Sequence, residues 1–171
     1  MWVFDATPLI YLAKAERLSH LSSLEEPCLV PHRVYDEVVT EGLEGAYPDA
    51  RRIQQHVDDG LFDVQAVESN PVFERLGANQ ALSDADRAVL AIAAERDAVA
   101  VIDERHGRAV ARTEGIATRR TAYLILSLVK DDHISPAEAR STLETMLEKG
   151  WYCSPDLYSK ILGKLDSLSV T

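Results

Sequence analysis

Short apolar runs alternate with amphipathic stretches along most of this chain. Trp2 to Phe4 is the first such run, and Thr7 to Ala15 follows it with Leu9, Ile10 and Leu12 at helical spacing. Leu18, Leu21 and Leu24 predict a further helical turn or two. Cys28 to Val30 reads as a second short strand, closed by Pro31. Proline is at home in the first turn of a helix, so a helix is expected from Pro31 to Glu41, with Gly42 and Gly45 breaking the chain after it. Pro48 to Asp59 is a polar helix stopped by Gly60, and the alternation in Leu61 to Val67 predicts a third strand. Ser69 to Leu82 has no clear period and reads as a loop or a short helix. Ser83 opens the clearest helix, SDADRAVLAIAAERD. Ala98 to Ile102 is continuously apolar, as in a strand covered on both faces. Glu104 to Glu114 is helical up to Gly115, Ile116-Ala117 is a candidate fifth strand, and Thr121 to Lys130 is an apolar helix.

Strands alternating with helices imply a parallel sheet with right-handed crossovers. After Asp132 the pattern changes. Ser135-Pro136-Ala137-Glu138 is a strong helix start, with Pro at the first helical position and an acid at the third. That helix runs to Lys149 and stops at Gly150, and Ser154-Pro155-Asp156 opens another through Leu168. Leu143, Met146, Leu147, Leu157, Tyr158, Ile161 and Leu165 form the inner face of the pair. Residues 1–132 are therefore expected to form an α/β domain, and residues 133–171 a helical hairpin packed on its core or at a dimer interface.

Composition changes this picture little. Apolar residues make up 46% and charged residues 27% of the 171, ordinary for a globular protein. No apolar stretch approaches the roughly 20 residues needed to span a bilayer, and the N-terminus has no basic, cleavable leader. A cytoplasmic protein with no membrane partner is expected. Cys28 and Cys153 are two and far apart, which favours reduced thiols over a disulfide.

Charge changes it more. The net charge is −10, and nucleic-acid affinity rests on neutralising phosphate, so the balance by itself argues against a nucleic-acid partner. Yet 13 of the 18 basic side chains are Arg, and the acids are spread evenly. That bias resembles proteins of high-salt cytoplasm, where surface acid is a solvation device. The segment from Arg105 to Arg120 also runs the other way. It holds Arg105, Arg108, Arg112, Arg119 and Arg120 against Glu114 alone.

Four acids break the surface pattern. Asp5 and Asp103 each follow directly on an apolar strand. Glu37 lies in register with Val34, Val38 and Glu41, and Asp86 with Val89, Leu90 and Ala93, on the stripes that face a core. The carboxyl ends of parallel strands share one edge, and that edge hosts ligands where the strand order reverses. Four ionised acids there are costly to hold together without a counter-charge. Mg²⁺ or Mn²⁺ takes oxygen ligands, needs only a few carboxylates, and activates water toward a phosphoryl group. Each acid also has a plain reading. Asp5 can be a helix cap, Asp86 completes a capping-box spacing with Ser83, Glu37 can be the rim of its stripe, and Asp103 a turn residue.

The motifs in order resemble the PIN-domain family. DATPLIYLAKAERL is similar to the family's opening, with an Asp ending the first strand and a hydroxyl residue, Thr7, two places on. Val30-Pro31 with Val34-Tyr35-Asp36-Glu37-Val38 resembles the second acidic motif. Leu82-Ser83-Asp84-Ala85-Asp86, running on to Ala93, resembles the third. Val101-Ile102-Asp103-Glu104-Arg105 resembles the fourth, with Thr121 matching a threonine after the last strand. Gly150-Trp151-Tyr152 and the helix after it resemble a prokaryotic subgroup with a C-terminal helical extension.

The resemblance implies an α/β/α sandwich around a mostly parallel five-stranded sheet. It also implies a Mg²⁺- or Mn²⁺-dependent ribonuclease, frequent homodimers, and often a VapC-like toxin beside a small antitoxin. Asp5, Glu37, Asp86 and Asp103 would hold the cation. The fourth motif often reads Asp-Asp, so Glu104 is an alternate to Asp103, and Asp84 is an outer ligand. Thr7 would orient Asp5 or a metal-bound water, with Thr121 in a similar role. Arg105, Arg108, Arg119 and Arg120 are candidates for RNA phosphate. Arg120-Thr121 stands where the family commonly has Gly-Thr. One rival is the same fold acting as an RNA- or protein-binding module with little or no nuclease activity. Another is an aspartyl phosphatase, which would want a second Asp at the position of Thr7.

Overall fold

Among the described residues, five strands make one sheet. They are β1 (Trp2–Phe4), β2 (Cys28–Pro31), β3 (Phe62–Gln65), β4 (Val99–Val101) and β5 (Thr118–Arg119), in the order β3-β2-β1-β4-β5. Every pairing is parallel. The computed structural model describes residues 1–169. Val3, Phe4, Val30, Ala100 and Val101 have no exposed surface, which explains why these strands carry apolar runs instead of alternation.

The sheet grows in both directions from β1, toward β2 and β3 on one side and β4 and β5 on the other. The strand order therefore reverses at the β1–β4 seam. There Trp2 pairs with Val99 and Phe4 with Val101, and the Asp5 N–H donates to the Val101 carbonyl at 3.2 Å. Asp5 and Asp103 leave this seam at the same edge.

Helices flank the sheet as an α/β/α sandwich: α1 (Ala6–Lys14), α2 (His32–Tyr35), α3 (Gly42–Glu44), α4 (Pro48–Asp58), α5 (Pro71–Leu76), α6 (Asp84–Arg96), α7 (Arg105–Thr113) and α8 (Thr121–Lys130). Helix α6 lies against β1, β2 and β4. Its alanines let it approach closely, and Ala88 through Ala93 are all buried.

Three local expectations need correction. Pro31 is the last residue of β2, paired with Gln65, and not the first of a helix. Gly42 does not break the chain. Helix α2, a π-helical stretch (Asp36–Glu41) and α3 run on as one helical rod. Gly42 is needed because a Cβ there would lie 2.7 Å from the Ala50 Cβ of α4. The fifth strand is Thr118–Arg119, two residues beyond the apolar pair Ile116-Ala117, because Ala100 N bonds Ala117 O and Ile102 N bonds Arg119 O. The uncertain stretch before Ser83 contains α5, opened by Asn70, whose side chain accepts from the N–H groups of Val72 and Phe73.

The tail folds as α9 (Pro136–Glu148) and α10 (Pro155–Ser169). Helix α9 packs on α1 and α8, and α10 packs on α8 and α9. Leu143, Met146, Ile161 and Leu165 are buried in the same cluster as Leu9, Leu124 and Leu128. Gly150 stops α9 at φ +103°, a conformation that favours glycine. The turn sends Trp151 inward, where it is buried. No helix among the described residues is long and apolar enough to cross a membrane.

Candidate functional site

Asp5 is nearly buried at the carboxyl end of β1 and caps α1, its Oδ1 accepting the Ala6 N–H at 2.8 Å. Among the described residues no other hydrogen bond reaches the carboxylate. Burial pushes its pKa up to about 7, against the Ala6 N–H, and the negative charges of Asp86, Glu37 and Asp103 push in the same direction. The three other acids singled out in the sequence thus all act on this one buried carboxyl.

Glu37 comes from the π-helical stretch. Its tip reaches solvent, yet partial burial, Asp86 and Glu41 raise its pKa above the usual carboxylate range. The wide turn displaces the expected stripe, so Val34, Val38, Val39 and Gly42 face inward while Glu37 and Glu41 lie at the rim. Asp86 stands in the first turn of α6. Its Oδ2 accepts the Ser83 N–H at 2.9 Å, and its own N–H bonds Ser83 Oγ at 3.1 Å. This is a complete capping box. Cap and ligand are not alternatives for such a residue, since a carboxylate has two oxygens and Oδ1 of Asp86 stays outside the box.

Asp103 is the most firmly held of the four. Its Oδ1 accepts the Thr121 N–H at 2.8 Å, and its Oδ2 accepts both Thr121 Oγ1 at 2.8 Å and Trp151 Nε1 at 3.0 Å. Thr121 is fully buried at the start of α8. Glu104, the alternate acid, turns to its own helix and caps α7, with both oxygens accepting, from His106 N and Gly107 N at 2.9 Å each. It is absent from the charges that act on Asp5. The geometry therefore brings Asp103, and not Glu104, to the crevice.

Thr7 lies in the first turn of α1 and makes no hydrogen bond to Asp5. Asp84 points elsewhere and bridges Arg33 at 3.1 Å and Arg87 at 2.9 Å. Both guanidiniums stack on Phe73, at 5.1 and 4.0 Å from the ring centre, so the group ties α2, α5 and α6 together. Arg108 donates to the Asp103 backbone carbonyl, Arg119 bonds the Thr118 carbonyl and lies over Tyr123, and Arg105 and Arg120 open α7 and α8. Trp151 is the contact that sequence reasoning missed. Its signal was a tryptophan one residue beyond a helix-stopping glycine, because a buried indole N–H needs an acceptor.

The donor set is made of carboxylate oxygens, which suits a hard divalent cation. Asp5 supports the fit. A buried acid whose pKa has risen to about 7 lacks a counter-charge, and a bound cation would return it to the ionised form. Among the described residues no three of the acids close on a common point as a ready-made cage. Asp103 is pinned by three donors and Asp86 by its capping box, while Glu37 stands at the exposed rim.

The all-parallel five-stranded sheet flanked by helices agrees with what comparison with known proteins shows. A family model described as a PIN domain matches residues 1–167. No curated protein matches the chain. The match takes in the helical tail as well as the sheet, and with it the chain belongs to the PIN-domain family.

Proposed function

We propose that this protein is a metal-dependent ribonuclease that hydrolyses RNA phosphodiester bonds at the crevice between β1 and β4. PIN domains are usually nucleases and generally use divalent metal ions. The observation that carries the reading is Asp5, a nearly buried acid whose pKa is raised by burial and by three further carboxylates at a strand-order reversal. Asp5, Glu37, Asp86 and Asp103 would hold Mg²⁺ or Mn²⁺, directly or through water. When bound, such an ion lowers the pKa of its water and stabilises charge on a phosphoryl group. Thr121 and Trp151 fix the Asp103 carboxylate so that it does not rotate away. Arg108, which donates to the Asp103 backbone carbonyl, would neutralise RNA phosphate together with Arg105, Arg119 and Arg120. Glu104 serves its helix, and Asp84 orders the helices that carry Glu37 and Asp86.

A binding module with little or no turnover is the second reading, favoured by the net charge of −10. Incubation with structured and single-stranded RNA, in Mn²⁺ or in EDTA and across a range of salt, separates the two. Cleavage that needs Mn²⁺ and is lost in Asp5→Asn supports the nuclease. Cleavage that survives both EDTA and Asp5→Asn, or RNA retention without cleavage, rejects it. A toxin role beside a small antitoxin, and a homodimer, extend the proposal. A short reading frame beside the gene and the sedimentation mass are the observations that test them.

A further inference from the structure

Of the eight arginines outside the segment Arg105 to Arg120, Arg17, Arg51 and Arg96 are scattered and hold no carboxylate among the described residues, and the other five do. Arg33, Arg52, Arg75, Arg87 and Arg140 each hold a carboxylate. Among the described residues, Arg105, Arg108, Arg112, Arg119 and Arg120 hold none. In a chain with 28 acidic residues, cations that cluster yet stay unpaired fit an anionic ligand. Arg108 sharpens the point. It is partly buried and donates to the Asp103 carbonyl.

Arg108, Arg119 and Arg120 border a cleft of about 360 Å³ between α8 and α10. Its floor is apolar, formed by side chains that include Leu126, Leu157 and Ile161, and Tyr123 stands at its edge. Tyr123 is 46% exposed, unusual for a large ring on a helix that otherwise faces the core. The Arg119 guanidinium lies 4.8 Å over its centre. Aromatic and guanidinium planes beside a line of cations are what an unpaired base and its phosphates require, whereas a fully paired strand keeps its bases stacked inside the helix. The cleft also adjoins the acidic crevice. Arg120 precedes Thr121, which holds Asp103, and Arg108 holds the same residue from the other side.

We propose that the α8–α10 cleft receives one unpaired base of an RNA strand, stacked by Tyr123 and Arg119, with the adjoining phosphates on Arg108 and Arg120. This inference rests on the nuclease reading and adds a base-binding subsite to it. The test uses full-length Asp5→Asn, which would bind without cleaving, and fluorescein-labelled single-stranded octaribonucleotides that each carry one abasic position. Binding is read by anisotropy. One position, or two adjacent ones, should weaken binding about tenfold when abasic. Adding Tyr123→Ala should weaken the intact strand about as much and abolish the positional penalty, while Tyr123→Phe should preserve both. A strand that loses nothing at any abasic position shows phosphate binding alone, which overturns the subsite and leaves the nuclease standing. A penalty that persists in Tyr123→Ala, or a duplex bound as tightly as the single strand, also overturns it. If Tyr123→Ala instead halves the sedimentation mass and leaves RNA binding unchanged, the cleft is an interface between copies. Absence of any RNA binding removes both readings together.

Discussion

Asp5→Asn should make the metal-free protein more stable, not less. The ordinary aspartate pKa of 3.8 is raised to about 7 in the fold. At about 1.4 kcal/mol per unit, holding Asp5 ionised costs the native state about 4 kcal/mol. The direction follows from proton binding. The folded form holds this proton more tightly than the unfolded chain, so its contribution is complete below about pH 4 and lost as the pH rises through about 7. At pH 8 the wild type bears the whole cost. Asparagine is neutral at every pH and still accepts the Ala6 N–H, so no cap is lost. Thermal and urea unfolding in EDTA at pH 8 should place Asp5→Asn above the wild type by about 4 kcal/mol, a melting difference of roughly 10 °C for a chain of this size. At pH 5 the gap should shrink below about 2 kcal/mol. Saturating Mn²⁺ should then raise the wild type and leave the variant in place, by about 2.7 kcal/mol when the ion is at a hundred times its dissociation constant. An Asp5→Asn variant no more stable than the wild type in EDTA at pH 8, or a difference between them that ignores pH, would mean that the fold bears no such cost at Asp5.

Three further outcomes are expected. Trp151→Phe keeps the ring and removes the hydrogen bond to a charged acceptor, so it should cost about 1.5–3 kcal/mol in urea unfolding and weaken Mn²⁺ binding by calorimetry. Glu104→Gln should keep most RNA cleavage and lose about 1 kcal/mol of stability, since its oxygens serve only a cap, whereas Asp103→Asn should abolish cleavage; equal activity in the two variants would contradict this assignment. Gly42→Ala forces a Cβ to within 2.7 Å of Ala50 and should destabilise the fold by about 1–3 kcal/mol in the same unfolding assay, and a neutral result would mean that α3 and α4 can separate at little cost.

Where the sequence carried its own punctuation, the structure was legible. Trp2–Phe4 and Thr121–Lys130 were readable to the residue, because an apolar run or a continuous helical period ends sharply at each. Ser83 and Ser135 announced α6 and α9 through capping boxes that both form. Asp5 and Asp103 were readable as strand ends. The fifth strand was displaced because it lies at the sheet edge, where Thr118 and Arg119 need little apolar character. The contacts of Asp103 were legible only in part. Thr121 lies 18 residues away and Trp151 lies 48, and no local pattern links an indole in a tail to a carboxylate on a strand. The π-helical stretch was hidden for a different reason. Reading Val34, Glu37, Val38 and Glu41 as one stripe assumes 3.6 residues per turn, and between Asp36 and Glu41 that assumption does not hold.

That stretch also makes insertions and deletions unequal to substitutions in this part of the chain. One helical rod must meet two fixed partners, presenting Glu37 near Asp86 at its beginning and the bare backbone of Gly42 to Ala50 at its end. The wider turn supplies the extra residue that lets both phases coexist. Inserting a further residue between Val38 and Glu41, beyond the one the wide turn already absorbs, would rotate one end against the other by about 100°. Either the acid would leave the crevice or a side chain would replace Gly42 at the α3–α4 seam. Length between these two positions is therefore under tighter constraint than the identity of the exposed Thr40 or Glu41.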